Sequence, residues 1–222
     1  MVKFDISIYV LELSRRVDTI RRIIAAAHAA PPGTPDISRE ARGMAIVLLF
    51  ASYENLLTSL VRGLLETAAK LRVSNRRLKT GIRVFAVYGD LQAIANASDR
   101  KIWTEGLKLM EKAATSRRCT LNTALFPADG SFMKSSQVTF VCDLFGLGDP
   151  GHILREVWGQ LDAIVSYRNG IAHGRLTPEE VGRNYTLSEL NTLVDQWEQR
   201  WSEFVNHVGL KACTRDFYRS SR

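Results

Sequence analysis

Apolar residues recur at steps of three and four along most of the chain. Leu13, Val17, Ile20, Ile24 and Ala27 set the first stripe, which predicts an amphipathic helix over about residues 4–29 with Arg15, Arg16, Arg21 and Arg22 on its polar side. The run Pro31-Pro32-Gly33-Thr34-Pro35 ends it, and Asp36 or Ser38 is placed to cap the next helix. That second helix is expected over about 39–71, apolar nearly all round between Met44 and Ala51, as a central buried element would be. Two more helices fit 82–97 and 99–114. Residues 116–136 include Pro127, Asp129-Gly130 and Ser135-Ser136, which predicts a long loop with room for a short strand pair. A short helix over 137–145 leads to Gly146–Pro150. A further helix then starts near Gly151 and keeps Ile153, Val157, Leu161 and Ile164 on one face. Thr177 with Glu180, and Thr186 with Glu189, each have the form of a capping box, the first with Pro178 at the first helical position. The last helix aligns Leu190, Val194, Trp197, Trp201, Phe204 and Val208, a core face by default, and Lys211, Arg215, Arg219 and Arg222 form a basic tail beyond it. With no internal repeat, this predicts one all-α bundle over 1–222, its core over about 39–208 and its tail over 209–222.

Composition narrows the function classes. The chain has 222 residues, 45% hydrophobic and 24% charged, as an ordinary globular domain does. Its formal charge of +7 points either to a polyanionic partner, RNA or DNA first, or only to a basic surface that keeps it in solution. The basic connection carrying Arg76, Arg77 and Lys79 is open to the same two explanations: a solvated loop, or a guide for a nucleic-acid backbone. Cys119, Cys142 and Cys213 are odd in number and widely spaced, which excludes a paired disulfide framework and suits a reducing cytosol. No signal-peptide pattern opens the chain, and the longest apolar run, Met44 to Ala51, is short of the roughly 20 residues of a membrane span. The expectation is a cytoplasmic protein with no membrane association. There is no phosphate-binding Gly-x-x-x-x-Gly-Lys loop and no His-Glu-x-x-His zinc site, and Asp143, Asp149 and Asp162 lack ligand spacing. No metal or cofactor is therefore expected.

The informative stretch is Arg168-Asn169-Gly170-Ile171-Ala172-His173-Gly174. The stripe Ile153, Val157, Leu161, Ile164 continues onto Arg168, which places a guanidinium on the core-facing side, where an unpartnered charge is expensive. Glu54 shares a face with Val47, Ala51 and Val61 on the second helix and is the natural carboxylate for it; otherwise Glu54 is a partly solvated residue at the bundle edge. Arginine followed by histidine after four to six intervening residues also occurs at Arg22 and His28, and at Arg200 and His207. Both of those lie inside regular helical pattern, with no asparagine after the arginine and no glycine after the histidine. At the third site Gly170 is expected to break the helix and Gly174 to end it. On a straight helix a five-residue offset puts two side chains about 140° and ~7.5 Å apart.

Arg168-Asn169-x-Ile171-Ala172-His173-Gly174 resembles the signature of HEPN domains, small α-helical bundles common in bacterial toxin and defence systems. Met44 to Val61, with Tyr53-Glu54 in its middle, is similar to the long buried HEPN helix, and Val138 to Leu147 to a segment preceding the motif helix in a bacterial branch. The resemblance spans about Arg39 to Val208. The first helix and residues 82–136 match nothing in it, which implies a HEPN-like bundle with an extra N-terminal helix and a loop-rich insertion. It further implies a metal-independent endoribonuclease, working as a homodimer whose motifs face one cleft and restrained by an antitoxin or other regulatory protein. His173 would then move protons between the ribose 2′-OH and the leaving 5′-oxygen, Arg168 would bind the phosphate, and Asn169 would orient the phosphate or the imidazole. The competing implication is a non-catalytic HEPN-like module that binds RNA, a nucleotide or a protein, with Arg168 structural and His173 a helix cap.

Overall fold

A computed structural model describes residues 2–29, 37–118, 120–123 and 133–220. The described chain is all-α. Its longest helix, α2 (Ser38–Lys70), touches α1 (Ser7–His28), α8 (Leu161–Ala172), α9 (Pro178–Gly182) and α10 (Leu187–Ala212). That centrality follows from composition: Ala45, Ile46, Leu49, Phe50, Tyr53, Leu56, Leu57, Leu60 and Leu64 are all buried, on a face about 140° wide. An apolar window in α2 has a mean hydropathy of 1.6, so this helix is long and apolar enough to cross a membrane, and 56% of that window is buried by the rest of the chain. The run between Met44 and Ala51 thus understates its apolar length.

Helix α1 is part of the core and not an accessory, since Leu13, Val17, Ile20 and Ile24 are buried and the helix packs on both α2 and α10. Helix α10 adds Trp197, Trp201 and Phe204, all fully buried. Tyr53 of α2 stacks on Trp201 at 5.4 Å between centroids and meets Trp197 edge-on. Trp197 donates its Nε1–H to Ser52 Oγ at 3.1 Å, so the one polar atom of that indole is satisfied inside the core. Helices α2 and α9 approach closely because each brings a glycine. A Cβ on Gly43 would lie 1.9 Å from the Pro178 carbonyl oxygen, and one on Gly182 1.8 Å from that of Arg39.

The capping boxes form as the sequence predicts: Thr177 and Glu180 open α9, and Thr186 and Glu189 open α10. At the start of α2 the N-cap is Ile37 without a side-chain cap bond, and Ser38 is the first helical residue. Pro31–Pro35 and Asp36 lie outside the described residues. The helix expected over 82–97 is two helices, α3 (Thr80–Ala86) and α4 (Tyr88–Ala95), which bend at Val87. Helix α5 (Asp99–Ala114) comes next, with the expected bounds. A 3-10 turn (Asn75–Arg77) precedes α3. The expected strand pair falls partly outside the described residues, where the described part shows only isolated bridges, Ser74 with Arg118 and Leu78 with Arg219. Helix α6 (Ser135–Phe145) ends at Gly146, and the helix expected from Gly151 is broken into α7 (Pro150–Trp158) and α8 at Gly159-Gln160. The C-terminal tail is not free. Helix α11 (Arg215–Tyr218) returns to residues 77–79, where Lys79 N–H donates to the Tyr218 carbonyl at 3.0 Å and Ser220 N–H to that of Arg77 at 2.8 Å. Tyr218 is fully buried there.

Candidate functional site

Helix α8 carries the arginine and the histidine on one unbroken segment. Its backbone stays helical through Ala172, with His173 at the C-cap. Gly174, at φ +69°, takes the left-handed conformation that closes a helix at no steric cost to glycine. Gly174 N–H donates to the Ile171 carbonyl at 3.1 Å and Arg175 N–H to that of Gly170 at 2.8 Å, which satisfies the last turn. The expected break at Gly170 is absent. Gly170 is buried within the helix, and a Cβ there would meet Leu176 Cδ1 at 2.7 Å, so the glycine serves close packing of the returning chain. With the helix straight, Arg168 and His173 leave it about 140° apart. One protomer therefore does not turn both side chains to the same face.

Arg168 is half-buried, as its place on the apolar stripe predicts. Its Nη1 donates to Asn169 Oδ1 at 3.0 Å, and its guanidinium carbon lies 4.7 Å from the ring centroid of Phe50, a residue 2% exposed. A guanidinium over an aromatic face is attracted by the ring quadrupole, and it gains more where water is excluded. Asn169 thus orients the arginine itself. Phe50 was not singled out by its sequence; the signal available was an inward arginine facing a helix rich in aromatics. Glu54 is half-buried on the same helix and lines a groove with Arg16 and Arg62. Glu54 and Arg168 both bear on the Tyr53 phenol, whose pKa burial pushes well up, with Glu54 and Asp162 adding to the rise and Arg168 opposing it. Among the described residues, Arg168 meets Asn169 through a hydrogen bond and Phe50 through its ring face.

His173 is exposed, and among the described residues its ring has no hydrogen-bond partner. The other two histidines that follow an arginine after four to six intervening residues are pinned. His28 Nδ1 is 2.8 Å from the Ile24 carbonyl, and His207 Nε2 is 2.7 Å from that of Leu147. Their arginines are engaged as well, Arg22 with Thr19 and Arg200 with Glu156 and Glu203.

Next to the motif, Tyr167 and Tyr185 line a groove of about 500 Å³ with Gln160, Asn184, Ser188 and Thr192, their rings 6.4 Å apart. Burial, with Tyr167 beside it, pushes the Tyr185 phenol up to about 12. The basic trio at 76–79 is unequally presented to solvent. Arg76 and Lys79 are exposed, whereas Arg77 is half-buried, with Nε enclosed and without a hydrogen-bond partner among the described residues. Lys79 instead lines a second groove, about 510 Å³, with Lys211, Asp143 and Asp216. Among the described residues no group of three or more His, Cys, Asp or Glu side chains is placed to hold a metal ion. Cys142 is buried, which pushes its thiol up to about 12, and Cys213 is a free thiol. No protein-family model matches the chain, and no curated protein or solved structure matches it either.

Proposed function

We propose that the protein is a metal-independent endoribonuclease of the HEPN type, a toxin or defence effector, acting on RNA through Arg168, Asn169 and His173. The observation that carries this reading is the contrast among the three arginine–histidine spacings: only His173 presents an unengaged imidazole to solvent, five residues from an arginine fixed by an amide and an aromatic ring. In the reaction the ribose 2′-oxygen attacks the adjacent phosphorus and its proton passes to a neutral His173. The bond from phosphorus to the 5′-oxygen breaks, and a protonated histidine returns a proton to that oxygen. Arg168 binds the phosphate oxygens as negative charge builds on them. Because α8 is straight, the second histidine and a phosphate reached from both sides come from a homodimer that faces two motifs. The protein would work in the cytoplasm, held in check by a regulatory partner.

The straight helix also favours a second reading, a non-catalytic HEPN-like module in which Arg168 braces α8 against α2 and the exposed face binds RNA or protein. Incubation of single-stranded RNA with the protein in EDTA separates the two. The nuclease leaves 2′,3′-cyclic phosphate and 5′-hydroxyl ends, spares DNA, and loses cleavage on His173→Ala. RNA that binds and stays whole, or cleavage that EDTA abolishes, rejects the proposal.

A further inference from the structure

Helix α5 carries an apolar stripe that the rest of the described residues leave uncovered. Trp103, Leu107 and Met110 recur at steps of four and three, and they are 82%, 62% and 66% exposed. Ile102 adds to the edge of the stripe at 40%. Helices α4 and α5 form an arm that packs against itself and touches the 3-10 turn, and neither helix contains a buried residue. An exposed indole beside leucine and methionine on a well-formed helix marks a surface that is covered in the working molecule.

We propose that the covering surface is α5 of a second copy of this chain, the two helices pairing antiparallel about a two-fold axis. Charge points there first. Between Tyr88 and Ala114 the chain holds Asp90, Asp99, Glu105 and Glu111 against Arg100, Lys101, Lys108 and Lys112, a balance of zero on a protein of net charge +7. A neutral arm neither seeks RNA or an anionic lipid surface nor repels its own copy. The arrangement of those charges is more specific. Glu105 is paired with Lys108, and Asp90 with Lys112, within the arm. Arg100 and Glu111 are exposed, and among the described residues neither has a hydrogen-bond or ion-pair partner. They lie on the same flank of the stripe, within about 20° of one another and about 16 Å apart along the axis. In an antiparallel pair like flank meets like flank. Arg100 then comes opposite the partner's Glu111 and Glu111 opposite the partner's Arg100, while Trp103 spans the partner's Leu107 and Met110. Gly106 leaves room for this, since nothing lies within 4 Å of where its Cβ would be. The stripe exposes about 500 Å² of apolar surface per copy, so pairing buries about 1,000 Å², at the lower limit for a specific interface.

This pairing is independent of the proposed cleavage and uses other residues. Light scattering on the full-length protein tests it. The wild-type mass should be at least twice that of the 24.9 kDa chain, and Trp103→Glu should halve it. Arg100→Glu should weaken association on the order of ten-fold or more, because it sets like charges against each other twice, and Arg100→Glu/Glu111→Arg should restore it. With Cys119 and Cys213 replaced by serine, Leu107→Cys should cross-link on oxidation, and Lys101→Cys, on the polar side, should not. A monomeric wild type, a mass unchanged in Trp103→Glu, or a charge swap that fails to restore association each overturns the proposal. So does a monomer whose sedimentation with phosphatidylserine vesicles depends on Trp103, since the arm would then be a membrane-surface element. Loss of pairing with cleavage retained leaves the nuclease reading intact, and loss of cleavage in His173→Ala at unchanged mass leaves this one intact.

Discussion

The segments Arg168–His173 and Arg200–His207 share a pattern of residue types and little else. In α10, Arg200 is held by Glu156 and Glu203, and His207 is bonded to the Leu147 carbonyl, so both side chains are consumed by the fold. At the end of α8, Arg168 rests on Phe50 and on the amide oxygen of Asn169, and His173 projects from the helix cap into solvent. An arginine neutralised by two carboxylates has little left to offer a phosphate, and a histidine committed to a carbonyl cannot trade protons freely. The comparison separates a spacing from a site: what matters is which groups the surrounding structure leaves uncommitted.

The largest effect expected from this contrast is on cleavage. His173→Ala should reduce the rate by on the order of 10²–10⁴, the usual worth of a positioned proton-transfer group, and should leave the melting temperature almost unchanged because the ring is exposed. His207→Ala should do the reverse. Cleavage should stay at the wild-type level while stability falls by about 1–3 kcal/mol, as a half-buried carbonyl loses its donor. Equal losses of cleavage in the two variants would erase the distinction between the segments. Next in size is Phe50→Leu, which keeps an apolar side chain under Arg168 and removes the ring. Losing a cation–π contact worth about 1–2 kcal/mol should slow cleavage by roughly ten-fold. The loss should appear in kcat and not in KM if Phe50 positions the arginine for the transition state; a change in KM alone would make Arg168 a binding group only. Smaller still is the acid dependence of the α10 ion pairs. Arg200 holds the Glu156 and Glu203 carboxyls below their ordinary value of 4.5. A depressed carboxylate pKa contributes stability above the unfolded value, and that stability is lost as pH falls through the folded one. Arg200→Ala should therefore melt below the wild type at neutral pH, with the gap closing below about pH 4 and shrinking in high salt. A gap that persists in acid would assign the arginine's role to packing.

Periodicity made much of this fold legible. Helices α1, α2, α5 and α10 follow their apolar stripes to within a few residues, and both capping boxes are written in four-residue patterns. The break at Gly159-Gln160 was not legible, because α7 and α8 keep Val157, Leu161 and Ile164 in one register across it. Nor was the return of the tail. Tyr218 is buried through backbone bonds to residues more than 130 positions earlier, and local pattern carries no record of such pairing. At the site, Arg168 was placed inward by its stripe alone, but its support by Phe50 is a tertiary contact between two helices distant in sequence. The α5 stripe misleads in the opposite sense: amphipathic spacing promises burial, yet Trp103 is 82% exposed within its own chain.

The smallest effect expected is at Gly170, and it tests whether the straight α8 is the working form. Glycine is the motif residue that looks most like a hinge. In the structure it is an ordinary helical residue pressed against Leu176, with Cδ1 at 2.7 Å and Cγ at 3.1 Å from the position of an added Cβ. Gly170→Ala gains about 1 kcal/mol in helix propensity. Against this, the leucine end must shift by a few tenths of an ångström, a modest overpacking cost of the same order. The two nearly cancel, so the melting temperature should move little in either direction. Cleavage should also survive, because a straight helix never uses the extra freedom that glycine has. Should Gly170→Ala fold normally and still lose cleavage as completely as His173→Ala, the segment must bend there during the reaction. Arg168 and His173 of one chain would then meet at one phosphate, and the second protomer would no longer be needed to supply the other histidine.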